Sequence, residues 1–253
     1  MIKNYTRNIR QQYKSAVRLF SLAQNSGISG KQITLWHSPH SRSLRCLWTM
    51  EEMGIRDYNL ITMPFPPRVF HKDFLKANIL GTIPYFEDGD SKMTESSAVC
   101  QYLVSKYGPT SLDVQPQDPD YASYLNWLHH ADATLTFPQT IVLRYTLQEP
   151  GRADSAVEDY AKWYIARLRL LDKTLEDGRK YLVGDRFTIA DICVSFALYL
   201  GQHLKVNDET LSSRYKPQTK AYLEDMISRE AFLKSLAIQK QSLKDFKQAH
   251  EAK

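Results

Sequence analysis

The chain has 253 residues, 43% of them hydrophobic and 24% charged, the mixture of a soluble globular protein with room for one large or two ordinary domains. No run approaches the roughly 18 apolar residues that a membrane-spanning helix requires, so no membrane span is expected. The net charge of +5 comes from residues 1–31, where Lys3, Arg7, Arg10, Lys14, Arg18 and Lys31 stand without an acid. The rest is balanced, 27 basic against 28 acidic residues, which supports no phosphate-binding surface and no nucleic-acid partner.

The basic leader, residues 1–31, spaces Ile2, Tyr5, Ile9, Tyr13, Val17 and Phe20 at helical intervals. Three readings stay open: a surface helix docked on the body, a mitochondrial-type transit segment, or residues upstream of the true start. A basic amphipathic helix also suits contact with anionic lipid. No small-residue cleavage site follows cleanly, which favours the docked or dispensable segment.

Gln32–Trp36 reads as a strand, and the turn-like HSPHS leads into a helix over Arg42–Met53 with Leu44, Leu47, Trp48 and Met50 apolar. Gly54 is placed to end it. Tyr58–Thr62 is a second strand, followed by a Pro-rich loop and a short polar helix around His71–Ala77. Ile83–Phe86 and Lys92–Thr94 flank EDGDS, whose Asp-Gly marks a hairpin. Ser96–Tyr107 is again helical, giving β-α-β-α-β-β-α. Residues 108–119, with three prolines and no apolar period, read as a linker.

From 120 to 253 every long segment is helical. Tyr121–Gln148 and Val157–Leu175 are amphipathic, Thr188–Leu200 is apolar nearly all round, and residues 215–246 supply two more helices. Cys46, Cys100 and Cys193 lie far apart in apolar stretches without a CxxC. They read as small buried hydrophobes in a reducing compartment, not as a disulfide framework or a zinc site.

Four local patterns carry chemistry: HSPHSRSLRCLW, GTIPYFEDGD, TESSAVCQYL and FTIADICVSF. In this order and spacing they resemble the cytosolic glutathione S-transferase family, in a serine-type, bacterial-like member, over residues 32 to about 230. The resemblance implies an α/β thioredoxin-like N-terminal domain, residues 32–107, followed by an all-α helical domain, residues 120–253. It also implies a cytoplasmic homodimer that uses glutathione as co-substrate, without a metal, against a small hydrophobic electrophile; aryl ether cleavage, dehalogenation, isomerisation or peroxide reduction by the same thiolate, or a non-catalytic glutathione-fold binding module, are the alternatives. An organellar location is the alternative if the leader is a transit segment.

The family's site residues map onto this sequence one by one. The resemblance implies a cis bond between Ile83 and Pro84, which turns the Ile83 main chain outward to pair with glutathione's cysteinyl backbone as an added strand. Glu95 and Ser96 open a helix whose N-terminus favours an anion. Ser96 suits the γ-glutamyl carboxylate and Glu95 the ammonium, while simple helix capping by Ser96 or Ser97 is the plainer reading. Serine-type members place the activating hydroxyl four residues before the arginine that opens the first helix, which makes Ser38 the candidate that donates to the thiolate. Ser41 is the runner-up, and a Ser-Pro turn that merely ends the strand is the alternative. The family's Lys or Gln two residues before the proline is here Thr82, so its contact falls to Arg68, His71 or Lys72 or is missing.

Thr188 and Asp191 match a capping box, expected to serve folding. Rival constellations are weaker. His37 and His40 beside Ser38 hint at a Ser-His hydrolase, but no GxSxG is present. The pairs His37/His40 and His129/His130 lack an organised carboxylate or thiolate set for a metal, and read as loop or surface histidines.

Overall fold

The computed structural model describes residues 33–67 and 73–251. The leader and three candidates for the Thr82 contact, Arg68, His71 and Lys72, lie outside the described residues.

Four strands form one sheet: β1 (Ile33–His37), β2 (Tyr58–Thr62), β3 (Tyr85–Asp88) and β4 (Ser91–Met93), in the order β2-β1-β3-β4. β1 and β2 are parallel, whereas β3 runs antiparallel to both β1 and β4. The central strand β1 buries Ile33, Leu35, Trp36 and His37, as a strand covered on both faces must. Asp88 pairs with Ser91 across a two-residue turn in which Gly89 takes φ +60°, the hairpin announced by Asp-Gly. Helix α1 (Ser43–Glu52) buries Leu44, Leu47, Trp48 and Met50 and gives way at Gly54, φ +68°. After α2 (Phe74–Ala77), the chain returns through β3 and β4 to α3 (Ser96–Tyr107).

The chain divides into two compact units. Among the described residues the first holds 33–47, 54–67, 73–99 and 234–251, and the second holds 48–53 and 100–233. The sequence reading put residues 120–253 in one helical domain; the structure groups residues 234–251 with the sheet. Two polar contacts tie that segment to the sheet. On α10 (Glu230–Glu251), Gln239 and Ser242 lie three residues apart on one face. Gln239 meets His37 of β1 at 3.0 Å and Ser242 meets Thr62 of β2 at 2.6 Å. One side of this unit's sheet packs Trp36, Met63, Phe74, Ile83 and Tyr85 together, with the Trp36 and Phe74 rings 5.2 Å apart.

The second unit is helical. α4 (Tyr121–His129) and α5 (Phe137–Leu143) run on through π-helical turns at His130–Thr136 and Arg144–Gln148, so the expected long segment is continuous but locally widened. α6 (Asp154–Arg167), α7 (Arg169–Thr174), α8 (Ile189–Gly201) and α9 (Pro217–Ile227) follow. Between α8 and α9 lies a small hairpin, β5 (Lys205–Val206) with β6 (Glu209–Thr210). Its turn residues Asn207 and Asp208 accept positive φ, a signal the sequence reading passed over.

α8 is buried along almost its whole length, so the polar ends of its first turn need internal partners. They have them. The Ala190 N–H donates to Thr188 Oγ1 at 3.2 Å and the Thr188 N–H donates to Asp191 Oδ2 at 2.9 Å, which completes the capping box. Asp191 Oδ1 also accepts from the Leu182 N–H and the Tyr222 hydroxyl, both at 2.9 Å. Among the described residues no helix is long and apolar enough to cross a membrane.

Candidate active site

Sheet register alone gathers three of the four sequence motifs. Trp36 pairs with Tyr85 at the end of the antiparallel β1–β3 ladder, so Ser38, two residues after Trp36, and Ile83, two before Tyr85, both lie beyond that end. Phe86 pairs with Met93 at the same end of β3–β4, and the chain passes from Met93 through Thr94 and Glu95 into α3 at Ser96. Ser38, Ile83 and the Glu95–Ser96 pair therefore lie at one end of one sheet. The Ile83-Pro84 bond is cis, and Ile83 stands outside the ladder, which begins at Tyr85.

The serine turn is held by hydrogen bonds. The Ser41 N–H donates to the Ser38 carbonyl at 3.1 Å, and the Leu44 N–H donates to the Ser41 carbonyl at 3.1 Å. Ser43 Oγ lies 2.7 Å from both Ser41 Oγ and His37 Nδ1, and receives the Ser38 N–H at 3.4 Å. Ser41 Oγ in turn receives the Ser43 N–H at 3.4 Å. His37 Nε2 is 3.0 Å from Gln239 Oε1. Ser38 differs from its neighbours: its side chain is fully buried, yet its Oγ has no hydrogen-bond partner.

At the start of α3, Ser96 is buried and its Oγ accepts from Arg45 Nη1 at 3.1 Å. Glu95 is exposed, and its carbonyl takes the first helical hydrogen bond, from the Val99 N–H. A buried guanidinium beside a helix N-terminus adds to the positive field there and suits an anion.

Two family models match the chain: the glutathione S-transferase N-terminal domain over residues 31–105 and the C-terminal domain over residues 139–230. The chain belongs to the glutathione S-transferase family. Among curated relatives it is 28% identical over 200 residues to glutathione S-transferase 3 of Zea mays, covering 77% of this chain and 88% of that protein. It is 30% identical over 175 residues to glutathione S-transferase F13 of Arabidopsis thaliana, covering 64% and 74%. Among solved structures it is similar to the glutathione transferase URE2P6 from Phanerochaete chrysosporium in complex with oxidized glutathione, with a TM-score of 0.71 at 25% identity over 84% of this chain and 98% of that one. The protein is a glutathione transferase with a thioredoxin-like N-terminal unit and a helical C-terminal domain.

Two features of this transferase escaped the sequence reading. Arg45 was passed over, although an arginine among the apolar residues of α1 was its signal; it is fully buried and reaches Ser96. The sequence suggests a loop or surface histidine at His37, and the structure corrects this. It is the last residue of β1, has no exposed surface, and burial lowers its pKa to about 4, with the nearby His40 adding a smaller push in the same direction. It is therefore a neutral imidazole at physiological pH.

Ser43, His37 and Gln239 line up like a hydrolase triad. Ser43 is fully buried, however, and its third member is a neutral amide that cannot stabilise an imidazolium. Cys46, Cys100 and Cys193 are all buried with free thiols. Among the described residues no group of three His, Cys, Asp or Glu side chains is placed to hold a metal ion.

Proposed function

We propose that this transferase binds glutathione along the sheet end and holds its sulfur as a thiolate on the Ser38 hydroxyl, for attack on a small hydrophobic electrophile. The Ile83 main chain beside Pro84 pairs with the cysteinyl backbone of glutathione. Ser96 and the α3 N-terminus receive the γ-glutamyl carboxylate, and Glu95 receives the ammonium. The thiol proton leaves to solvent, the thiolate sulfur forms a bond to carbon, and the electrophile's leaving group departs with the electron pair. As in the family resemblance, the working form is a cytoplasmic homodimer.

The observation that carries this reading is the Ser38 hydroxyl, buried and unpartnered while the hydroxyls of Ser41 and Ser43 bond to each other. An unmade buried hydrogen bond costs about 1–3 kcal/mol, so a ligand that completes it is favoured. A hydrogen bond to a charged group is worth roughly 1.5–3 kcal/mol, enough to bring a thiol from about 8.5 to about 7 and make the thiolate a main species. Ser38 has no exposed surface, so the sulfur reaches it only when the turn opens or its side chain swings out.

The test is conjugation of a generic aryl halide by the wild type, Ser38→Ala and Ser41→Ala, with glutathione affinity measured in parallel. Turnover falling in Ser38→Ala at near-constant affinity supports the assignment. Unchanged turnover in Ser38→Ala moves the role to Ser41 or to main-chain donors, and glutathione binding without any turnover in the wild type overturns the catalytic reading.

A further inference from the structure

The hydrogen bonds behind the serine turn have a direction. Gln239 Oε1 accepts only, so its partner His37 Nε2 carries the ring proton. A neutral imidazole has one N–H, and His37 is neutral, so Nδ1 is an acceptor and the Ser43 hydroxyl must donate to it. The Ser43 oxygen then accepts the Ser41 hydroxyl at 2.7 Å, and the Ser38 N–H at 3.4 Å. Every hydroxyl proton from Ser41 onward is committed inward, and Ser38 retains the turn's unassigned donor. Gln239 and His37 are both more than nine-tenths buried and 202 residues apart in sequence, so α10 and β1 meet in this bond.

We propose that Gln239 and His37 are positioning residues for the thiolate: by fixing the ring proton on Nε2, the Gln239 carbonyl orders the donors of the serine turn so that Ser38 alone is left to meet the sulfur. This rests on the reading of Ser38 given above. Neither residue touches glutathione; both act through Ser43, which receives the Ser38 main chain. Reversal of the ring proton to Nδ1 turns the Ser43 hydroxyl toward Ser41 and sets Ser41 competing for the sulfur.

The experiment compares the wild type, Gln239→Met and Gln239→Glu in the full chain. Methionine keeps the volume and removes the acceptor, whereas glutamate keeps an oxygen at the same reach. Three quantities are read: the pKa of bound glutathione from its thiolate absorbance, kcat and KM, and the His37 tautomer from its ring nitrogen shifts. Gln239→Met is expected to raise the bound thiol's pKa and cut kcat at neutral pH by about 5- to 10-fold, with the glutathione KM within about twofold of the wild type. Gln239→Glu keeps an acceptor, but its carboxylate favours an imidazolium at His37 whose Nδ1 donates to Ser43, so it is expected to raise the bound thiol's pKa as well and to show a doubly protonated ring in the nitrogen shifts. A role in packing alone leaves the bound thiol's pKa unchanged in Gln239→Glu even with the ring recharged, and that outcome overturns the proposal. So does an unchanged thiol pKa in a folded Gln239→Met protein.

Should Gln239→Met fail to fold, the wild-type spectrum still decides. Nε2 protonated and Nδ1 bare supports the relay, and the opposite tautomer sinks it. Absence of any bound thiolate in the wild type defeats the Ser38 reading itself, a separate result.

Discussion

The two units each place a polar cluster inside the protein at the start of a helix, and the clusters are finished differently. At α8, Asp191 accepts from two main-chain N–H groups and the Tyr222 hydroxyl, while Thr188 closes the capping box. At α1, the serine turn satisfies Ser41, Ser43 and His37 but leaves the Ser38 hydroxyl without a partner. Buried donors are normally paired, so a completed cluster is an investment in the fold, whereas an incomplete one at a sheet end fits the glutathione site proposed there. Unpartnered oxygens occur in the second unit as well, on Gln139 and Ser195, but those sit mid-helix in α5 and α8. Position separates them from Ser38.

Breaking the completed cluster has the largest expected effect. Asp191→Ala strands the Leu182 and Thr188 N–H groups and the Thr188 and Tyr222 hydroxyls and should destabilise the protein by about 3–5 kcal/mol, read as a lower urea midpoint. Glutathione affinity of the folded fraction should stay unchanged; a folded Asp191→Ala protein that had lost only glutathione binding would erase the distinction between the two clusters.

Acid comes next. Burial depresses the His37 pKa to about 4, whereas the unfolded chain takes up that proton near 6.5. The native state therefore binds fewer protons in this window. The stability due to neutral His37 is complete above pH 6.5 and drains away as pH falls towards 4, by up to about 3 kcal/mol. In His37→Asn the acid limb of a stability–pH curve should flatten by that amount, and two superimposable limbs would contradict a buried, uncharged imidazole.

Ser38→Ala should act in the opposite sense to Asp191→Ala. It costs about 10- to 100-fold in kcat through the lost bond to the thiolate, yet leaves the urea midpoint level or slightly raised, because a stranded donor has been removed. A clear drop in stability would mean that Ser38 is structural after all. The smallest change is Thr188→Ala, about 1 kcal/mol for one lost cap, with kinetics untouched. A larger kinetic effect there would tie the α8 start to the chemistry.

Local chemistry made much of this legible from the amino acids. Asp88-Gly89 set its hairpin, Gly54 its helix end, and Thr188 with Asp191 a capping box, each through neighbours within four residues. The cis bond at Ile83-Pro84 was implied by the family resemblance that the four motifs carry together, and not by any one of them. The hidden part is long-range. Nothing near Gln239 points to a histidine 202 positions earlier, and nothing near Arg45 points to Ser96, because both pairings exist only once the sheet and α10 are assembled. The π-helical turns at His130–Thr136 and Arg144–Gln148 were equally invisible, since an apolar period does not distinguish a helix from one with an extra residue in a turn.

The chain's three cysteines are all sealed inside the protein as free thiols. A glutathione transferase works beside a thiol co-substrate, so an exposed cysteine of its own would be open to glutathionylation. Sulfur with no solvent contact is shielded from that reaction, which leaves the thiol of the co-substrate as the one within reach. The catalyst outlasts its own reagents.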